Sequence, residues 1–229
     1  MQNTNKIRAV LFDAYGTLLD VYSIGALAEQ LFPTHGANLS VMWRDKQIEY
    51  TRLVTTCNDG AHYQPFSVLT RAALRYVCAR MKLELSAEKE AALMAQYNKL
   101  TPFPENIAVL KALQSRGIPT GILSNGDASM LNDVVAHAGM DTLLNHVISV
   151  DPIRKFKTHP AAYALGETAT GLSCGEILFV SSNAWDALAA TWYGYQTLWV
   201  NRQGLPFEAL STQPTYTGKD LKAVLEIIA

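Results

Sequence analysis

Short apolar runs rich in β-formers recur along this 229-residue chain, and the strongest of them end abruptly in polar clusters. Ile7 to Phe12 (IRAVLF) stops at Asp13-Ala14-Tyr15-Gly16-Thr17. Ile118 to Leu123 (IPTGIL) stops at Ser124-Asn125-Gly126, and Ile177 to Val180 (ILFV) stops at Ser181-Ser182-Asn183. Gln196 to Val200 (QTLWV) is a similar run, and Asn145 to Val150 a weaker one. Runs of this length bounded by turn-formers read as buried strands. Between them, apolar positions recur at helical spacing over Glu105–Arg116, Asp127–Ala138, His159–Thr168 and Ala184–Tyr193, with Gly117 and Gly139 as natural stops. The alternation predicts an α/β fold: a Rossmann-like parallel sheet covered by helices on both faces.

Residues 20 to 100 follow a different pattern. Apolar positions recur at helical spacing over Ser23–Leu31, Leu39–Val54, Phe66–Met81 and Ala87–Leu100, with no convincing strand between them. This predicts an all-helical cap inserted after the first strand and its loop. The core domain then comprises residues 1–19 and 101–229, and Pro102 and Pro104 punctuate the return to it.

Composition narrows the picture. At 49% hydrophobic and 17% charged, the chain can bury a real core and is not of a disordered type. Its 20 acidic and 19 basic residues nearly cancel, so no broad field recruits nucleic acid or an anionic membrane, and neither is an expected partner. Any anion chemistry must come from a few placed cations. Cys57, Cys78 and Cys174 are far apart and suggest neither a zinc site nor a disulfide framework. Met1 to Val10 lacks the long apolar run of an export signal, and no segment is long enough to span a membrane, so a cytoplasmic location is expected.

In open parallel sheets, ligands sit beyond the carboxyl ends of the strands. The predicted strands deliver Asp13 and Thr17, then Ser124 and Asn125, then Ser181, Asn183 and Asp186 to that edge, with Lys157 in the loop after the weaker run. An acid directly after a buried strand is costly to ionise without compensation. Asp13 by itself reads more readily as a capped turn. With Lys157 in the same cleft it becomes a charged, desolvated carboxylate, which is a competent nucleophile. The chain carries no Gly-x-Ser-x-Gly elbow, Walker loop, dinucleotide fingerprint or His-Glu-x-x-His.

These motifs, in this order, together with Trp43-Arg44-Asp45-Lys46-Gln47 in the insert, resemble the haloacid dehalogenase superfamily and more narrowly its L-2-haloacid dehalogenases. The likeness runs along nearly the whole chain. Two departures set it apart from the superfamily's magnesium-dependent phosphatases, which remain the alternative reading. Tyr15 stands where those enzymes keep a second, proton-donating Asp, and Ser182 stands where they keep a metal-ligating Asp. The resemblance therefore implies no metal and no cofactor. Lys157 supplies the positive charge beside Asp13.

The resemblance further implies that Asp13 attacks C2 of a short 2-haloacid, expels halide with inversion and forms an ester that water then hydrolyses. Thr17 and Ser181 orient Asp13 and Lys157 by hydrogen bonds, Asp186 pairs with Lys157, and Tyr163 is a partner of this polar set at the substrate. Arg44 and Asn183 receive the halide ion. Ser124 and Asn125 anchor the substrate carboxylate, and Tyr15, Phe66 and Trp185 form an apolar wall. Each residue also has a plainer reading: Arg44 as a surface helix charge, Ser124 as an N-cap, Asp186 as a helix-terminal acid, the aromatics as core. Asp45 stands where relatives often have Gln, beside the halide-binding Arg. A homodimer formed through the insert is also implied.

Overall fold

The computed structural model describes residues 6–228; the polar start Met1–Asn5, counted above against an export signal, lies outside it. Six parallel strands form one sheet: β1 (Ala9–Phe12), β2 (Thr120–Ser124), β3 (His146–Ser149), β4 (Ile177–Ser181), β5 (Gln196–Val200) and β6 (Tyr216–Gly218), in the order β3-β2-β1-β4-β5-β6. Every residue of β1, β2, β4 and β5 is buried, as expected for parallel strands covered on both faces. From β1 the chain first builds outward through β2 and β3, then crosses back to add β4, β5 and β6. The direction of construction thus reverses between β1 and β4, where such folds open their binding crevice. Right-handed crossovers send the connecting helices of the two halves to opposite faces. Those of the first half are α5 (Asn106–Ser115) and α6 (Ala128–His137); those of the second are α7 (Pro160–Thr170) and α8 (Ala184–Tyr193).

Register fixes which residues share the crevice. Phe12 pairs with Ile122 and with Val180, so the chain leaves β1 at Asp13 between the ends of β2 and β4. The Asp13 N–H donates to the Val180 carbonyl at 2.9 Å, which prolongs the ladder by one bond before the loop turns away.

Residues 20–100 hold helices and turns: α1 (Gly25–Leu31), α2 (Gly36–Thr56), α3 (Phe66–Arg80) and α4 (Ala87–Tyr97), besides short 3-10 turns. Helix α2 begins three residues before the expected Leu39, where Glu29 accepts the first orphan N–H of the helix, that of Gly36, at 2.8 Å and the Thr34 N–H just ahead of it at 2.5 Å. Gly36 is needed there, since a Cβ would lie 2.4 Å from the Glu29 backbone nitrogen. One apolar cluster runs from the sheet into these helices and includes Leu39, Trp43 and Phe66. The Trp43 indole N–H donates to the Thr70 carbonyl at 2.7 Å and ties α2 to α3. Truncating Trp43 to Ala should cost about 3–5 kcal/mol.

Two elements are absent from the sequence expectation: β6 and α9 (Ala223–Ile227). Both are too short to display a period, and β6 is an edge strand whose order comes from pairing with β5. Strand β2 starts at Thr120 rather than Ile118 because Pro119 brings no N–H to a ladder. Among the described residues no helix is long and apolar enough to cross a membrane.

Candidate active site

Asp13 is 5% exposed, and both of its carboxylate oxygens are held by donors. Oδ1 accepts from Lys157 Nζ at 2.9 Å. Oδ2 accepts from Thr17 Oγ1 at 3.2 Å and from Asn183 Nδ2 at 2.8 Å. Lys157 arrives on the loop after β3, where its backbone N–H donates to Asn125 Oδ1 at 2.9 Å. Its ammonium also donates to Asp186 Oδ2 at 2.9 Å. Asp186 lies in the first turn of α8, and its other oxygen accepts from the Tyr163 hydroxyl at 2.8 Å.

These charges are removed from water and must satisfy one another. Burial works to lower the Lys157 pKa, but Asp13 and Asp186 outweigh it and hold the ammonium above the ordinary lysine value. Burial raises the Asp186 carboxyl, and the neighbouring ammonium counters only part of that shift. Burial, reinforced by Asp186, keeps the Tyr163 phenol protonated as a donor.

Arg44 reaches the same place from α2. Its Nη2 donates to the Tyr15 carbonyl at 3.1 Å and to Asn183 Oδ1 at 3.5 Å, and its Nη1 donates to Gln47 Oε1 at 2.7 Å. All three partners are neutral. Among the described residues Arg44 forms no ion pair, so its charge is aimed into the crevice without a carboxylate to cancel it. The reading of Arg44 as a free surface charge is therefore set aside. Asp45, one residue on, is exposed and points elsewhere.

Other expectations are amended. Ser181 does not hold Lys157; its hydroxyl accepts from the Asn183 N–H at 3.1 Å, the local turn geometry favoured by a serine two residues before a free N–H. Ser124 is fully buried beside this cluster, but it is not a helix N-cap: α6 begins at Ala128, and Ser124 Oγ accepts from the Gly126 N–H at 3.2 Å. Tyr15 and Phe66 do face each other, with ring centroids 5.5 Å apart, and Tyr97 packs on Tyr15 at the same distance. Trp185 is not in that stack. Its ring lies against the Arg52 guanidinium at 5.1 Å, and with Tyr163 it lines a separate cavity of about 510 Å³.

The sequence pattern assigned no role to Gln47, Thr70 or Tyr97. Gln47 is fully buried, donates to Thr70 Oγ1 at 2.6 Å, and accepts from the Tyr97 hydroxyl at 3.0 Å and from Arg44. The usable signal was spacing: a glutamine three residues after an arginine shares its helix face. The Asp127 side chain, also missed, accepts from the N–H and hydroxyl of Ser67 and so ties α3 to the segment after β2.

The donor set suits an anion-handling site better than a cation site. Among the described residues no cluster of three His, Cys, Asp or Glu side chains is placed to hold a metal. The Tyr15 carbonyl and both Asp13 oxygens, the hard oxygens nearest the crevice, already accept from nitrogen and hydroxyl donors.

Comparison with known proteins agrees with this geometry. The haloacid dehalogenase-like hydrolase family matches residues 7–194. Haloacetate dehalogenase H-2 of Moraxella sp. (strain B) is 44% identical over 98% of this chain and 99% of its own length. A crystal structure of the L-2-haloacid dehalogenase RSc1362 is 53% identical, covers 98% of this chain and 99% of its own, and superposes with a TM-score of 0.96. The chain belongs to the haloacid dehalogenase-like hydrolases, within their L-2-haloacid dehalogenase family. A second member of that family, from Xanthobacter autotrophicus, has been solved with chloropropionic acid covalently bound. It is 33% identical, covers 97% of this chain and 98% of its own, and has a TM-score of 0.89.

Proposed function

We propose that this protein hydrolyses short (S)-2-haloalkanoic acids, haloacetates and 2-halopropionates among them, to (R)-2-hydroxy acids through an ester on Asp13. The observation that carries the reading is the contrast between the two cations: Lys157 held between Asp13 and Asp186, and Arg44 paired with no carboxylate among the described residues. The first sets a positive charge against a buried nucleophile. The second is free to receive an anion.

In the first step an Asp13 oxygen forms a bond to C2 as the carbon–halogen bond breaks from the opposite side, inverting the carbon. The halide takes the bonding pair and is received by Arg44 and Asn183; a guanidinium is weakly hydrated and suits a large, soft anion. Halide needs no proton to leave, which fits Tyr15 in place of a proton-donating acid. In the second step water adds to the Asp13 carbonyl carbon, the ester bond opens, and the hydroxy acid leaves. Ser124 and Asn125 anchor the substrate carboxylate, and Tyr15 and Phe66 face its alkyl group. The same reading treats residues 1–19 and 101–229 as the core and 20–100 as the cap. It extends to a homodimer, for which α2 and α3 leave Val41, Leu53, Val68 and Tyr76 exposed, and to a cytoplasmic location, where the free Cys57, Cys78 and Cys174 stay reduced.

Halide release from 2-chloropropionate enantiomers and from fluoro-, chloro- and bromoacetate, with and without chelator, tests the reaction. Turnover is expected for the S enantiomer and should be indifferent to chelator. In a single turnover in oxygen-18 water, label should appear in Asp13; label confined to the product would refute the ester route. Phosphate release that depends on magnesium would favour the phosphatase reading instead.

A further inference from the structure

A cavity of about 360 Å³ lies on the β5 side of the loop that follows Asp13, and its wall includes Gly16, Asp20, Phe103, Ser182, Val200 and Arg202. Two polar atoms of these residues, Ser182 Oγ and Arg202 Nε, are buried without a protein partner. The rest of the Arg202 guanidinium is committed: Nη1 to Glu105 at 2.6 Å, Nη2 to the Thr17 carbonyl at 3.1 Å, and one face to the Phe103 ring at 3.9 Å. Buried polar groups of this kind are normally satisfied by ordered water, and at about 30 Å³ each this volume has room for several molecules.

We propose that this cavity supplies the water for the second half-reaction, and that Ser182 and Arg202 hold it in place beside the nucleophile loop. The proposal rests on the ester reading above. The same two residues also grip Thr17. The Ser182 N–H donates to Thr17 Oγ1 at 2.8 Å, Arg202 holds the Thr17 carbonyl, and Thr17 Oγ1 donates to Asp13 Oδ2. Water bound there is thus one residue layer from the carboxylate.

Gly16 and Asn183 form that layer. Gly16 has a φ of +93°, and a Cβ on it would meet the Asn183 side-chain amide at 3.5 Å. With no side chain at Gly16, a shift of Asn183 is enough to let water pass. Lys157 at 1% exposed, with Ser124 and Asp186 at 0%, closes the strand-end side of Asp13, and the crevice through which the substrate came is filled by the ester's own alkyl and carboxylate groups. Halide departure from Arg44 and Asn183 frees Asn183 to make that shift, so water is admitted after the ester has formed. The step is balanced: the water oxygen bonds to the Asp13 carbonyl carbon and the ester bond breaks. One water proton goes to the leaving alkoxide and the other to solvent.

Two variants test this, Ser182→Val within the cavity and Leu205→Trp at its exposed rim. Rapid-quench kinetics with (S)-2-chloropropionate would follow chloride release and, by intact-protein mass, the Asp13 adduct. The chloride burst should keep its wild-type rate while decay of the adduct slows about tenfold, so that ester-enzyme accumulates. Adduct decay at the wild-type rate in both variants would overturn the water route and leave the ester reading intact. A wild-type enzyme that turns over with no adduct at any time would instead remove the ester reading and this proposal with it. Leu205 is exposed on a loop, so its variant remains informative should Ser182→Val fail to fold.

Discussion

The strand ends of the core and the helices of the cap each turn one cation inward, and they treat it in opposite ways. The core buries Lys157 between two carboxylates. The cap holds Arg44 with an amide oxygen, a backbone carbonyl and a side-chain amide. An ammonium locked between two carboxylates spends its field on them, so it is poorly placed to attract a further anion. A guanidinium held by neutral acceptors keeps its field. Geometry that fixes both side chains thus assigns them different electrostatic work, and no count of charges in the sequence could separate them.

The sharpest way to break this contrast is to remove each cation in turn. Lys157→Met leaves Asp13 and Asp186 buried without a counter-charge, and should lower stability by about 3–5 kcal/mol in denaturant titrations while abolishing halide release. Arg44→Met strands no buried carboxylate. Its stability should change by less than about 1 kcal/mol while kcat/KM falls by about a hundredfold. Equal destabilisation of the two variants would erase the distinction.

Next in size is Gln47→Leu, which leaves Thr70, Tyr97 and Arg44 each short of a partner. A loss of about 1–3 kcal/mol is expected, with a fall of about tenfold in kcat/KM as Arg44 loses its orientation. Wild-type stability and activity in this variant would show that the Tyr15 carbonyl and Asn183 position Arg44 unaided.

The pH dependence sharpens the core side of the contrast. The folded-state pKa of Lys157 is raised, so its stabilising contribution is complete below the unfolded lysine value of about 10.4 and is lost as pH climbs through the higher folded value. The Lys157 contribution to the melting temperature, read as the difference from Lys157→Met, should therefore stay level from about pH 7 to about pH 9 and decline only in strong alkali. A decline centred below about pH 9 would place the lysine outside the carboxylate pair. The smallest effect belongs to Asp45→Gln. Exposed and outside the crevice, it should move stability by no more than about 0.5 kcal/mol and leave halide preference unchanged.

Strand and helix alternation, the helical insert and the convergence of Asp13, Ser124, Lys157 and Asn183 on one edge were all legible in the chain, because each rests on local pattern. Period and turn residues decide where a strand stops, and parallel topology decides which edge receives the loops. Hydroxyl partners were less legible. Ser181 and Thr17 are both short hydroxyl residues at or just beyond the ends of buried strands, yet one bonds its own turn and the other the carboxylate. Trp185 and Phe66 are both aromatic residues at helix starts, and only Phe66 faces Tyr15.

Local pattern along the chain was enough to settle which residues could meet and that their chemistry would involve a carboxylate beside a lysine. Tertiary structure decided which partners each polar atom took, and with that the division between a neutralised Lys157 and a free Arg44. The physical reason is range: hydrophobic periodicity acts over a few neighbouring residues, whereas the state of a buried charge depends on atoms within a few ångströms that come from distant segments.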